Sequence, residues 1–193
     1  RNTPGPHVEH GHGWQRPWTI VARGPGRIVL VYEHAGDEWP FPYGVTQTIE
    51  LLPDRLRIEL AALNRGEEPM PYGFGLHPFF PATPGTTLEA RVESVWHVDD
   101  EVMPTRLGPA VELWGSEPRL AVASTALDTA FAGWDGEATI RWPDHGAGLS
   151  MVASAPLRHL VVYTPPGAGH FCAEPVSHCT DAFNLVAERN DTG

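Results

Sequence analysis

Three stretches of this chain gather side chains able to move protons or hold a ligand. They are His7-Val8-Glu9-His10-Gly11-His12-Gly13-Trp14-Gln15-Arg16, then Tyr72-Gly73-Phe74-Gly75-Leu76-His77-Pro78-Phe79-Phe80, and then His170-Phe171-Cys172-Ala173-Glu174-Pro175 followed by His178, Cys179 and Asp181. In the second stretch His77 lies among glycine, proline and aromatic residues, and an imidazole with an ordinary pKa of about 6.5 can give or take a proton near neutral pH. The same residue would also suit a turn that its ring merely hydrogen-bonds. In the third stretch an extended backbone puts His170, Cys172 and Glu174 on one face. A carboxylate on a strand that reads apolar is costly unless it is paired or functional. The alternative is a surface glutamate closing a strand before Pro175. In the first stretch the histidines stand at spacings of three and two, with His10 and His12 on one strand face. That pattern suits a metal, or a solvated tail with one functional member.

Strands must position these groups, because alternation of apolar and polar residues dominates the chain. Leu56, Ile58, Leu60 and Ala62 fall on one face, with Arg57, Glu59 and Ala61 on the other. The segment 45–52 precedes them across Pro53-Asp54, a hairpin turn. Further strands are expected at 18–22, 27–33, 88–93, 138–142, 149–153, 159–163 and 169–174. Turn-rich segments separate them at 64–71, 81–86, 144–148 and 165–169. One short helix is expected over 180–188 with Thr180 as its N-cap. No repeat or low-complexity linker interrupts the pattern, so the expectation is a single all-β domain over 1–193, an antiparallel β-sandwich.

Bulk composition agrees. Of 193 residues, 41% are hydrophobic and 19% charged, a globular balance, and 20 glycines with 20 prolines favour many short strands over helices. A chain of this size buries roughly 70% of its unfolded surface. The net charge of -11 disfavours nucleic acid as a partner. No apolar run reaches the ~18 residues of a membrane helix, so no membrane partner is expected. Residues 1–13 are polar and unlike a signal peptide, and two cysteines make no disulfide framework; the expected compartment is the reducing cytoplasm.

Taken together and in order, these segments resemble the aldose 1-epimerase (galactose mutarotase-like) superfamily. His12-Gly13-Trp14-Gln15-Arg16 with Trp18 resembles its His-Gly-x-x-Arg stretch, and Trp39-Pro40-Phe41-Pro42 the opening of its central hairpin. Asn64-Arg65-Gly66, Pro69-Met70-Pro71 and Gly75-Leu76-His77-Pro78-Phe79-Phe80 resemble the loop carrying its catalytic histidine. Leu127-Asp128-Thr129-Ala130-Phe131 with Gly133-Trp134-Asp135-Gly136 resembles its substrate-aspartate region. Val161-Val162-Tyr163-Thr164-Pro165, Phe171-Cys172-Ala173-Glu174-Pro175 and Asp181-Ala182-Phe183-Asn184 resemble the surroundings of its catalytic glutamate.

The resemblance implies a large antiparallel β-sandwich with an open sugar site on its concave face. It implies Glu174 as general base, His77 as general acid, His12 on the ring-oxygen side, Asp128 on the sugar hydroxyls and Arg16 supporting the site. Trp134 is implied as an aromatic wall for the sugar, a core tryptophan being the alternative. The implied reaction interconverts α and β anomers of a hexose. A base takes the O1 proton, an acid protonates the ring oxygen, the C1–C2 bond rotates and the ring closes, with the two groups expected on opposite sides of the sugar. No cofactor and no metal is expected, and the implied partner is a small sugar, with the chain a monomer or homodimer.

The chain departs from the family pattern at both ends, where strands before the His-Gly stretch and after Asp181-Ala182-Phe183-Asn184 are missing, so a truncated sandwich is expected. Three rival readings stand beside the free-sugar epimerase. One is a hexose-6-phosphate 1-epimerase, with a phosphate held by Arg16, Arg65 or Arg158. Another is a non-catalytic carbohydrate-binding module of the same fold. The last is a cupin-like metal site of His10, His12, His77, Cys172 and His178.

Overall fold

The computed structural model describes residues 10–186 and 192–193. His7 and Glu9 of the first polar stretch, and the C-terminal part of the expected helix, lie outside the described residues. Among the described residues, fourteen strands carry almost all regular structure, and every pairing is antiparallel. The chain divides into two compact units, residues 1–71 and 72–193.

The first unit is a four-stranded meander of β1 (Thr19–Gly24), β2 (Arg27–His34), β3 (Tyr43–Leu51) and β4 (Leu56–Asn64). Its hairpin at Pro53-Asp54 closes as expected, with Leu51 opposite Leu56 and the Leu52 N–H donating to the Arg55 carbonyl at 2.8 Å. Alternation along β4 survives as a geometric face, yet Leu56 and Ile58 remain exposed and only Leu60 and Ala62 are half-buried. The buried residues among those described in this unit are His34 and Gly44.

The second unit contains two sheets. One has six strands in the order β5 (Phe79–Pro81), β14 (His170–Val176), β13 (His159–Tyr163), β10 (Asp128–Ala132), β7 (Ser94–Val98), β8 (Pro104–Pro109). The other has four, in the order β12 (Ala147–Val152), β11 (Glu137–Trp142), β6 (Thr87–Ala90), β9 (Arg119–Ala121). Alternation explains how they pack. On β11, Ala138, Ile140 and Trp142 point inward while Glu137 and Arg141 point out. From the six-stranded sheet Val95, Phe131, Leu160, Val162, Phe171 and Ala173 meet them, with Leu88 from β6, in one buried apolar cluster. The two sheets thus form a β-sandwich.

Burying such side chains contributes roughly 1.5–3 kcal/mol each, the main force holding the layers together. Strand β14 is unusual in being buried at five consecutive positions, Phe171 to Pro175. Phe171 and Ala173 serve the core. The opposite face of the sheet is covered by a smaller cluster in which Trp96, Ala130 and Cys179 are buried and Val161, Ala182 and Leu185 pack against them.

Five strands, β5, β7, β8, β9 and β10, were not anticipated. They are three to six residues long, and β10 is buried on both faces from Thr129 to Ala132, which erases the alternation that marks a half-buried strand. In the described part of the expected helix at 180–188 one turn is present, Ala182–Leu185. Its N-cap is Asp181 at φ 58, not Thr180, and no side chain caps it. Among the described residues no helix is long and apolar enough to cross a membrane.

Candidate active site

Strand register builds the site. Segment 74–81 runs antiparallel to β14. Gly75 bridges Val176, Phe79 pairs with Cys172, and both pairs share one register. That register places His77 opposite Glu174 on the neighbouring strand, so their side chains leave the sheet on the same side. The Leu76 N–H donates to the Pro175 carbonyl at 3.1 Å and the Ser177 N–H to the Phe74 carbonyl at 2.8 Å, fastening the segment on either side of Gly75. Glycine is needed for this approach. A Cβ at Gly75 would stand 2.9 Å from Val176 Cγ1, and one at Gly73 would collide with the His178 ring.

The consequence is a separation of 3.4 Å between His77 Nε2 and Glu174 Oε1. This corrects the expectation of two groups on opposite sides of a sugar, since 3.4 Å leaves no room for a ring between them.

The same sheet brings Asp128 to this face. Across the strands, Asp128 pairs with Tyr163, Tyr163 with Cys172, and Cys172 with Phe79, one row of side chains beside the His77–Glu174 pair. Phe79 stacks on the His77 ring at 4.8 Å between centroids and is 54% exposed, so it stands at the mouth of the site. Glu174, at 8% exposure, lies at its floor. Burial, reinforced by the Asp128 carboxylate, pushes the Glu174 carboxyl up to about 8. A carboxyl that ordinary values would leave fully ionised at neutral pH therefore holds its proton here, and once it has lost that proton it is a far stronger base. Cys172 is fully buried, and its thiol is pushed up to about 12 by burial, then by the Glu174 and Asp128 charges.

His12 and Arg16 stand together in the first unit. Arg16 pairs with Glu38, and His12 Nε2 lies 3.6 Å from the same carboxylate. His12 Nδ1 shares a hydrogen bond with the Tyr43 hydroxyl at 2.7 Å, and its ring stacks on His34 at 4.6 Å. Burial, then the nearby His34 and Arg16 charges, lower its pKa, which favours the neutral imidazole. His34 Nε2–H donates to the Trp39 carbonyl at 2.7 Å.

Trp134 is corrected. It is fully buried in the sandwich core, and its Nε1–H donates to the Glu137 carbonyl at 2.9 Å. No face of its ring is open to a sugar. Phe79 and Tyr163, which the sequence reading passed over, are the aromatic residues of the site's own row. The signal for Phe79 was its place two residues after His77 on an extended segment.

The metal set of His10, His12, His77, Cys172 and His178 does not assemble as a unit. Among the described residues, the group whose donor atoms converge is His77, Cys172 and Glu174, all within 4.8 Å of one another. His178 instead turns its Nδ1 to the Cys179 carbonyl at 2.9 Å.

The family model described as aldose 1-epimerase matches residues 1–190. The chain belongs to the aldose 1-epimerase family. It is 30% identical over 184 residues to the uncharacterised protein YphB of Escherichia coli K12, a match covering 91% of this chain and 62% of YphB. A candidate aldose 1-epimerase from Escherichia coli K12 superposes with a TM-score of 0.82 at 30% identity, over 92% of this chain and 65% of that one. A galactose mutarotase-like protein from Lactobacillus casei superposes with a TM-score of 0.70 at 16% identity, over 82% of this chain and 60% of that one, a likeness of fold. This member of the family thus spans less than two thirds of the length of these relatives. Its antiparallel sandwich is galactose mutarotase-like, as the resemblance implies.

Proposed function

We propose that the chain interconverts the α and β anomers of a hexose, with Glu174 as general base and His77 as general acid. The observation that carries this reading is the 3.4 Å contact between a buried carboxyl and an imidazole at the bottom of an aromatic-lined mouth. In the forward step ionised Glu174 takes the proton from the C1 hydroxyl. As the C1–O5 bond breaks, the His77 imidazolium gives its proton to the ring oxygen, and an open-chain aldehyde results. Rotation about C1–C2 presents the other carbonyl face, and as the ring closes His77 takes the proton back from the attacking hydroxyl while Glu174 returns its proton to O1. Each positioned acid or base supplies ~10²–10⁴-fold, and efficiency is greatest when the pKa lies near the working pH, which a carboxyl raised to about 8 satisfies. Asp128 is the group for neighbouring hydroxyls.

A neutral sugar is the favoured substrate. Of the arginines considered for a phosphate, Arg16 is engaged by Glu38 and Arg65 by Glu33 at 3.0 Å. Polarimetry on α-glucose, α-galactose and glucose-6-phosphate tests the reading. Accelerated anomerisation of a free hexose is expected. Sugar binding without any acceleration would leave a carbohydrate-binding module instead.

A further inference from the structure

The acid–base reading uses His77 and Glu174 but gives no task to Cys172, the third donor that converges on them. Cys172 lies two residues before Glu174 on the same face of β14, opposite Phe79 and diagonal to His77. Sulfur, nitrogen and oxygen donors thus meet in one buried spot, all within 4.8 Å of one another. Four-coordinate zinc holds thiolate sulfur at about 2.3 Å and imidazole nitrogen or carboxylate oxygen at about 2.0–2.2 Å, which sets neighbouring donors roughly 3.3–3.6 Å apart. The His77–Glu174 separation of 3.4 Å already meets that figure. The thiol needs a closing movement of at most about 1.5 Å, within reach of a side-chain rotation.

We propose that His77, Cys172 and Glu174 form an inhibitory site for a thiophilic divalent cation such as Zn²⁺, which on binding takes the acid–base pair out of action. The inhibitory part rests on the functional reading above; the coordination part does not. His77 and Glu174, the partly accessible members, capture the ion, and Cys172 completes the set from beneath. The fourth position faces the mouth beside Phe79. Binding forms metal–sulfur, metal–nitrogen and metal–oxygen bonds and releases to solvent the proton of the thiol, any proton on the carboxyl and the proton of the imidazolium where His77 carries one. With one lone pair of the imidazole and the carboxylate both committed to the ion, neither can exchange a proton with a sugar.

The test uses the full chain freed of metal. It is titrated with ZnCl₂ by calorimetry and with Co²⁺ by absorption, alongside polarimetric anomerisation of a free hexose. Expected are one bound ion per chain, a thiolate-to-cobalt charge-transfer band, and loss of anomerisation in step with occupancy. In Cys172→Ala the band should vanish and zinc affinity fall at least tenfold, while metal-free anomerisation stays within about twofold of the parent. A missing band, equal zinc affinity in the variant, or a bound ion that leaves anomerisation untouched would overturn the proposal. If the metal-free parent shows no anomerisation, the functional reading fails and inhibition with it, while the cobalt band still decides whether the three residues coordinate.

Discussion

Strands of comparable length and alternation meet different fates in the two units. In residues 72–193, two sheets share a core in which Leu88, Phe131, Ile140 and Phe171 are fully enclosed. In the described part of residues 1–71, four strands pair each with the next in sequence, yet Ile20, Val21, Leu51, Leu56, Ile58 and Leu63 stay exposed, and the buried side chain is a histidine. Hydrogen-bonded pairing alone makes a sheet; only burial of a second face makes a dry interior. The difference decides where unusual chemistry can arise. Glu174 is raised to about 8 because β14 is enclosed on both sides, whereas the ionisable side chains of β4, such as Arg57 and Glu59, sit in water and pair across the surface at 3.0 Å. Such exposed pairs contribute little.

The largest effect that sharpens this contrast lies at the site. Glu174→Gln and His77→Asn should each lower kcat for anomerisation by ~10²–10⁴-fold with the thermal transition retained. Full activity in either variant would remove that residue from the mechanism. Next comes the core. Phe171→Ala should cost about 3–5 kcal/mol in denaturant unfolding, as large aromatic deletions in closed cores do.

A smaller effect concerns pH. Glu174 has a folded pKa above its unfolded value, so its contribution to stability is fully present below the ordinary carboxyl range near 4.5 and is lost as pH rises through about 8. Glu174→Gln should abolish that loss and leave the variant less sensitive to alkaline pH, measured as Tm between pH 5 and 9. The smallest effect belongs to the first unit. Leu51→Ala should shift stability by under about 1 kcal/mol, since the residue is 68% exposed and gives up little buried surface. A cost equal to that of Phe171→Ala would erase the distinction between the units.

Much of this was legible in the sequence. Alternation gave β2, β4, β11 and β13 nearly to the residue, because it depends on backbone period and not on how much of a face is eventually covered. It failed at β10, where Thr129-Ala130-Phe131-Ala132 is enclosed on both faces and no period is left to see. The exposure of β4 was equally hidden, since an apolar stripe does not say what covers it. At the site, the identities of His77, Glu174 and Asp128 came from local motifs and the family resemblance. Their adjacency came from register between segments almost a hundred residues apart, which no local pattern encodes. Trp134 shows the converse: its motif pointed to the site, while its indole N–H found a carbonyl inside the core.

The proposed anomerisation turns on a buried carboxyl that must lose its proton before it can work. The most direct measurement is the pH dependence of kcat/KM for anomerisation in the parent and in Asp128→Asn. The parent's profile should be bell-shaped, because ionised Glu174 and protonated His77 are needed together, with one limb near 8, and that limb should move to lower pH in the variant, because the carboxylate that holds Glu174 up is gone. A parent profile that rises with an ordinary carboxyl midpoint near 4.5, or a midpoint unmoved in Asp128→Asn, would contradict it.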